Sequence, residues 1–329
     1  MDGEVISMTL KDRDGAVLVE GDNCSDKELF EKATPSLRGV ERPGALLSGL
    51  ALEGADFGSA DLSGADLKEA KLSGSDFSHS DLVGVQAKRA DLSDSNFKSA
   101  WLTGAELSEA DLSEVDLSGA ELSGACLRRA NLRGADLQNA QLFGADLTEA
   151  NLRGADLYCV DLRGAILKGA DLRDARIEEA RLEGADLSDV QGQGVSLKGC
   201  QLQGARWSDG DWSESEWTEV EARGSDGSSC SLDGARFARC DFSGSNVSDV
   251  SAKEAHFDGV RLRGSLLSEG DFSRSVWDAC DLTGSDLKDS DFTQSAFKRS
   301  VFVQGQAEGV EWAEASWTDS PTFDRPTST

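Results

Sequence analysis

The sequence is poor in the residues from which most active sites are built. It has only two histidines, His79 and His256, which the repeat described below places on different faces and many levels apart. They cannot form a metal cluster, and no Cys–His pair is evident. Carboxylates are abundant, but they belong to a repeated motif, so a pair of them carries no catalytic signal. The glycine-rich stretches lack the strand–loop–helix context of a phosphate-binding loop. We therefore expect a protein that is not an enzyme and uses no cofactor or metal.

Long apolar runs and a secretion signal are also missing. No apolar stretch approaches the length that spans a membrane. The start, Met1-Asp2-Gly3-Glu4, has neither the basic nor the apolar region of a signal peptide. These features predict a cytoplasmic protein without membrane contact.

A nested repeat dominates the sequence. Glycine recurs at every twentieth position from Gly44 to Gly284, and within this period runs a second one of five residues, as in A-D-L-S-G and A-N-L-R-G. Positions ending in 2 or 7 are mostly large and apolar, and those ending in 0 or 5 are small, with Leu50 as the bulky exception. A period of five fits neither a helix nor a long alternating strand. It fits a short extended stretch followed by a corner, with the large and small residues pointing inward.

The twenty-residue period predicts four sides for each turn of the chain. One corner is always glycine, whereas the corner at 69, 89, 109, 129 and 149 alternates between Glu and Arg. A three-sided turn of fifteen residues would mix glycine and charge in one column. The glycine corner indicates a positive φ or a lack of room for Cβ. The charged corner indicates a ladder of opposite charges at roughly 4.8 Å, the spacing of neighbouring strands.

These residues resemble the pentapeptide-repeat family, whose motif is small–Asp/Asn–Leu/Phe–polar–Gly. The resemblance extends over about 45 to 317 in unbroken phase. It implies an all-β fold, a right-handed four-sided parallel β-solenoid of about 14 coils. Such a repeat protein needs no globular core, and its coils would form a rod of roughly 65 Å.

The two ends of the chain depart from the repeat. We expect residues 1–40 to form a small α+β cap, because two apolar segments flank the hairpin signal Asp14-Gly15. Ser25-Asp26-Lys27-Glu28 is a capping box for a helix through about Ala33. The cap would cover an open β edge, and it is similar to the lead-in of uncharacterised bacterial and phage members of the family. Residues 45–317 are assigned to the solenoid, and 318–329 to a disordered tail.

The seven cysteines do not suggest a disulfide framework. Their number is odd, and Cys200, Cys240 and Cys280 share a column two levels apart. That spacing is roughly 10 Å, which exceeds disulfide reach. We expect these residues and Cys230 to be buried and reduced, as is usual in the cytoplasm.

Large aromatic residues fill the second half of the predicted core. Trp207 and Trp212 lie one level from Gly227 and Gly192, so the local volume stays nearly constant. Within 222–229, two successive positions that normally carry a large inward side chain hold Ala222 and Gly227. The core is therefore almost empty there, which predicts a bulge or bend. Large inward-pointing residues at twenty-residue spacing are aromatic throughout one column: Trp217, Phe237, Phe257, Trp277, Phe297 and Trp317.

Surface charge and one tryptophan supply the candidate partner contacts. The formal net charge is −28, but residues 121–180 are close to neutral. Trp101 occupies an outward slot, so its indole is available to a partner. The middle coils carry a column of arginines, Arg133, Arg153 and Arg173. Beyond them one corner becomes acidic, with Asp189, Asp209, Asp249, Glu269 and Asp289. A solvated surface that keeps the protein soluble is the alternative interpretation.

The sequence therefore predicts a non-enzymatic scaffold that presents an acidic rod to a protein partner with a basic surface, in a bacterial or phage assembly. The alternative comes from the family resemblance, because some pentapeptide-repeat proteins mimic duplex DNA and protect DNA gyrase from quinolones. The absence of projecting loops and of a C-terminal dimerisation helix in the sequence favours the scaffold. Direct binding of nucleic acid is disfavoured, since it needs clustered Lys and Arg.

Overall fold

The computed structural model describes residues 7–11, 14, 17–22, 25–33, 37–319 and 322–323. The chain divides into two compact units, Met1–Asp161 and Leu162–Thr329. Each unit contains a parallel β-solenoid in which residues pair with those twenty positions later. Within the described residues, no helix has both the length and the apolar character needed to cross a bilayer.

The first unit begins with a hairpin and a helix. Strand β1 (Ser7–Lys11) pairs antiparallel with β2 (Val17–Asp22), and helix α1 spans Asp26–Ala33. The predicted hairpin and helix are confirmed. Gly15 of the predicted turn lies outside the described residues.

A capping box holds the first turn of α1, as predicted. The backbone N of Ser25 donates a hydrogen bond to Oε2 of Glu28 at 2.7 Å, and the backbone N of Glu28 donates to Oγ of Ser25 at 3.3 Å. The bond from the Ser25 backbone is the main reason that the pKa of Glu28 lies below its ordinary value. The two bonds satisfy backbone groups that a helix start leaves unpaired.

The helix α1 lies against the first coil. Asp26 forms an ion pair with Arg42 at 2.6 Å, and the ring of Phe30 lies 6.2 Å from that of Phe57. Phe30 is completely buried. The cap therefore covers apolar side chains at the start of the solenoid.

Four bridges in every twenty residues give each coil four sides. The first coil bridges the second at four outward positions, Glu41, Leu46, Ala51 and Asp56. The same register continues through the first unit to the bridge between Gln141 and Asp161. The predicted four-sided section is therefore confirmed.

Side chains in the first unit sort inward and outward as the five-residue pattern predicts. Leu102 and Leu107 are each 1% exposed. Phe57, Phe77 and Phe97 stack with ring centroids 4.8 Å apart. The rings repeat at the spacing of neighbouring strands because their backbones do.

The second unit adds short regular strands, most of them along one side. They are β3 (Arg176–Glu178), β4 (Ser196–Lys198), β5 (Glu216–Thr218), β6 (Arg236–Ala238), β7 (His256–Asp258), β8 (Val276–Asp278), β9 (Ala296–Lys298), β10 (Val301–Phe302), β11 (Ser316–Thr318) and β12 (Thr322–Phe323). Eight of them form a parallel sheet in the order β11-β9-β8-β7-β6-β5-β4-β3. This sheet defines about seven turns, fewer than the fourteen coils predicted from the sequence. The difference arises because the coils of the first unit pair through isolated bridges, such as Glu41 with Asp61, and therefore add no strand to this sheet.

Part of the predicted tail has regular structure. Strands β10 and β12 pair in parallel, with Val301 opposite Thr322. Residues 320–321 and 324–329, also predicted to be disordered, lie outside the described residues. The division of the chain into 1–40, 45–317 and 318–329 stays a prediction.

The predicted bulge at 222–229 is wrong. Bridges join Glu221 to Asp241 and Asp226 to Asn246, so the twenty-residue register passes through this segment unchanged. The indole of Trp207 fills the space beside Gly227, where a Cβ would overlap its six-membered ring. A large neighbour therefore compensates for the missing side chain, and the ladder has no cause to break.

Backbone conformation explains the glycine corner, and crowding does not. Gly124 has a φ of 65°, and a Cβ placed on it would meet nothing within 4 Å. The other corners hold the same left-handed conformation with non-glycine residues, among them Glu109 at 59° and Asp249 at 56°. Glycine therefore lowers the conformational cost of this corner without being sterically required.

Candidate partner-binding surfaces

Five exposed carboxylates follow one corner of the second unit, and we call them the acidic corner. Its members are Asp189, Asp209, Asp249, Glu269 and Asp289. All have a positive φ, between 56 and 61°. The backbone N of each donates to a carbonyl of the next level, as Asp249 does to Ser268 at 2.9 Å. The main chain thus fixes these residues at one corner, and only Ser229 interrupts their succession.

Few cations neutralise the acidic corner. Asp189 pairs with Lys168 at 3.3 Å, and Asp249 accepts a hydrogen bond from Oγ of Ser229 at 3.1 Å. The other four members form no ion pair within 4 Å with any residue that the structure describes; they are Asp209, Asp249, Glu269 and Asp289. The negative charge of this corner is therefore available to a partner.

Acids on the flat faces, unlike most of those at the acidic corner, often form ion pairs. An acid at position i+18 often pairs with a cation at position i, and we call this a cross-level pair. Arg223 lies 3.0 Å from Asp241, and Lys253 lies 3.1 Å from Asp271. Burial raises the pKa of Asp271, but hydrogen bonds from Ser273 and Lys253 outweigh it, so the pKa is lowered overall. Cross-level pairs thus consume charge on the faces.

The three arginines of the predicted column are divided between the two units. Arg133 and Arg153 lie at adjacent levels of the first unit, since the residues two places before them bridge. Arg173 belongs to the second unit. Its Nε and Nη2 donate to Asp171 of the same turn at 2.9 and 2.6 Å, and these bonds raise the pKa of Arg173. Arg173 is therefore already neutralised locally.

The alternating corner of the first unit forms separate ion pairs. Two pairs span neighbouring levels: Arg89 with Glu69, and Arg129 with Glu149, the latter at 2.7 Å. Glu109, between the arginines, pairs instead with Lys88 at 3.1 Å. The hydrogen bond from Lys88 lowers the pKa of Glu109. The predicted charge ladder is present as discrete pairs.

Trp101 lies on a flat face of the first unit and points outward. Its chain neighbours Ala100 and Leu102 are buried, whereas Trp101 is 51% exposed. It bridges Asp81 on one side and Glu121 on the other. The outward direction agrees with the sequence analysis, and a contact role for Trp101 stays a prediction. Sequence reasoning missed Asp81 and Glu121, although they stand twenty residues before and after the tryptophan.

The buried cysteines are unsuited to nucleophilic catalysis. All six cysteines that the structure describes are free thiols. Burial raises the pKa of Cys200 and Cys280 to about 12 and that of Cys240 to about 11. These thiols stay protonated near neutral pH, so they are poor nucleophiles. In the described part of the chain, no three His, Cys, Asp or Glu residues are grouped to hold a metal ion.

Two family models match the chain over most of its coils. The pentapeptide repeats model matches residues 44–78, 70–108, 90–129, 135–174 and 170–209, and the pentapeptide repeat region model matches 230–307. The chain belongs to the pentapeptide repeat family. The resemblance found in the sequence is thereby confirmed.

Several solved pentapeptide repeat structures are similar to the chain. HetL, involved in heterocyst differentiation regulation in Nostoc sp. strain PCC 7120, is 23% identical over 82% of this chain and 92% of its own, with a TM-score of 0.29. A protein of the Arabidopsis thaliana thylakoid lumen is 36% identical over 30% of this chain and 68% of its own, with a TM-score of 0.29. The plasmid-mediated fluoroquinolone resistance protein QnrB1 is 19% identical over 60% of this chain and 90% of its own, with a TM-score of 0.27. These scores are too low to support a functional argument, and no curated protein matches significantly.

Proposed function

We propose that this pentapeptide repeat protein is a non-enzymatic scaffold that binds a protein partner with a basic surface. The observation that carries the proposal is the acidic corner, whose exposed carboxylates are mostly without cations of the described chain. Charge on the faces is partly consumed in cross-level pairs, whereas at this corner only Asp189 pairs with a cation of the described chain. A basic partner would complement it directly.

Two physical properties support this role. The net charge of −28 attracts a basic partner over a distance set by the ionic strength, so the association rate should fall as salt is added. The corner residues are held by main-chain hydrogen bonds between levels, so binding needs little backbone ordering. Preorganisation of this kind lowers the entropic cost of association.

The test is recovery of the partner from the native cell on the immobilised protein. The test variant carries Asp249→Lys, Glu269→Lys and Asp289→Lys, and we expect it to lose most of the bound partner. The matched control carries Glu53→Lys, Asp94→Lys and Glu114→Lys in the first unit, which makes the same change in net charge. Equal recovery by the two variants would contradict binding at the acidic corner.

A mimic of duplex DNA that binds DNA gyrase is the second candidate. It is favoured by the same corner, because Asp249, Glu269 and Asp289 stand at successive levels and repeat negative charge at regular spacing. A DNA mimic should inhibit supercoiling by gyrase, or protect gyrase from quinolones, in a salt-sensitive manner. No effect at micromolar protein and low salt would exclude this candidate, while partner recovery would remain a test of the scaffold.

A further inference from the structure

We propose that Trp101, Asp81 and Glu121 form a binding site for a guanidinium group, namely an arginine side chain of a protein partner. The proposal rests on the proposed scaffold function and names one side chain that such a partner would present. It concerns the first unit and does not depend on the acidic corner.

The three residues occupy one outward column at successive levels. Trp101 bridges Asp81 and Glu121. The backbone N of Trp101 donates to O of Ser80 at 2.9 Å, and the backbone N of Leu102 donates to O of Glu121 at 2.7 Å. Neighbouring levels lie roughly 4.8 Å apart. One residue that carries a carboxylate therefore lies next to Trp101 at each of the two neighbouring levels.

Both carboxylates keep an oxygen for a ligand. Oδ1 of Asp81 accepts a hydrogen bond from the backbone N of Val83 at 3.1 Å, and Oε1 of Glu121 accepts one from the backbone N of Ser123 at 3.1 Å. No hydrogen bond from a described residue reaches the second oxygen of either group, and neither forms an ion pair within the described chain. The turn bonds orient the carboxylates without neutralising them.

Among the described residues, the cross-level positions that could neutralise this site hold no cation. In a cross-level pair, the cation stands eighteen residues before the acid, as Arg223 does for Asp241 and Lys253 for Asp271. The corresponding residues here are Ser63 for Asp81 and Thr103 for Glu121. Neither side chain carries a charge.

The residue eighteen positions before Trp101 is Val83, which is 42% exposed. Because valine is short and apolar, it adds a hydrophobic edge without a charge that could compete for the carboxylates. The indole and both acids are thus left open to a cation from outside the chain.

A guanidinium group matches this arrangement better than other ligands. It is planar and stacks on an aromatic face, and its N–H groups point outward in the plane toward carboxylates on both sides. An ammonium group is a compact point charge that lacks this flat, forked geometry. A neutral or purely apolar ligand would leave both carboxylates without a cation.

The test is a titration of the isotopically labelled full-length protein with the peptide acetyl-Gly-Arg-Gly-amide at low salt, followed by NMR of the tryptophan indole N–H signals. The signal that Trp101→Phe removes identifies Trp101. We expect this signal to shift saturably, and the shift to be absent with the citrulline peptide, which has the same shape without the charge. The lysine peptide should bind several-fold more weakly, since cation–π stacking by lysine is less extensive.

A matched pair of variants separates this site from general electrostatics. Asp81→Asn with Glu121→Gln should weaken binding roughly 3- to 10-fold, as expected for two exposed ion pairs. Asp209→Asn with Glu269→Gln removes the same charge at the acidic corner and should leave the affinity within about twofold. An unmoved Trp101 signal, equal binding of the lysine peptide, or equal losses in the two double variants would overturn the proposal. Failure of this titration would leave partner recovery through the acidic corner intact, and failure of that recovery would leave this titration intact.

Discussion

The indole of Trp207 occupies the space that a side chain at position 227 would need. A Cβ built on Gly227 would overlap its six-membered ring. The indole Nε1 also donates a hydrogen bond to Oγ of Ser225 at 3.1 Å, so the ring cannot turn away without losing a buried bond. Trp207 and Gly227 therefore act as one packing unit across two levels.

Gly227→Ala should destabilise the second unit. The added methyl group overfills a closed core, which costs about 1–3 kcal/mol of unfolding free energy, measured by urea denaturation. Trp207→Phe makes room, so Gly227→Ala should cost clearly less in that background. Additive effects of the two substitutions would contradict direct packing of residue 227 against the indole.

Gly124→Asn should be tolerated, because nothing inside the protein opposes a side chain at that corner. Asparagine accepts the left-handed conformation comparatively well, so we expect a loss of about 1 kcal/mol or less. Gly124→Val should cost more, since a β-branched residue is strained at a positive φ. The comparison is made by urea denaturation, and a loss of several kcal/mol for Gly124→Asn would indicate crowding instead.

Asp241 should stabilise the second unit at pH values above the ordinary pKa of an aspartate. Burial raises the pKa of Asp241, but hydrogen bonds from Ser243 and the nearby Arg223 and Arg261 lower it below the ordinary value of 3.8. A lowered folded pKa stabilises the folded state above the unfolded pKa, and this stability is lost as pH falls through the folded value. Asp241→Asn should therefore cost about 1.5–3 kcal/mol near neutral pH.

The difference between wild type and Asp241→Asn should stay constant above roughly pH 5 and shrink below it. Unfolding free energies measured from pH 3 to 6 test this. Asp289→Asn is the control, because Asp289 is exposed and has no ion pair among the described residues. A constant difference down to pH 3 would contradict the assigned direction of the pKa shift.

The buried thiols should be protected from modification in the folded protein. In a Cys24→Ser background, a disulfide reagent at pH 8 should label the half-buried Cys126 and Cys159 and spare the buried cysteines until denaturant is added. The buried set comprises Cys200, Cys230, Cys240 and Cys280. Early labelling of more than two thiols would contradict the packing described here.

The same burial gives a stability dependence at high pH. Because burial raises the folded pKa of Cys200 from 9.0 to about 12, the thiol contributes stability that is full below pH 9 and is lost as pH rises through the folded value. Cys200→Ala should reduce this alkaline loss of stability.

The sequence by itself determined the backbone register, the four sides and the direction of each side chain. A strict period of twenty, subdivided by five, permits only one way to stack levels, and alternation along a short strand sends Leu102 inward and Trp101 outward. Stacking of Phe57, Phe77 and Phe97 follows from the same register. These properties depend on spacing alone.

Tertiary structure alone decided which charges remain available. Arg173 donates to Asp171 within its own turn, and Arg223 pairs with an acid eighteen residues later. A long side chain can contact any acid within its length, so its partner need not stand twenty residues away. It also decided that the ladder passes Gly227 unbroken, since a neighbouring indole fills the gap. Packing and side-chain reach act between residues whose separation no single period encodes, and they set the surface that a partner meets.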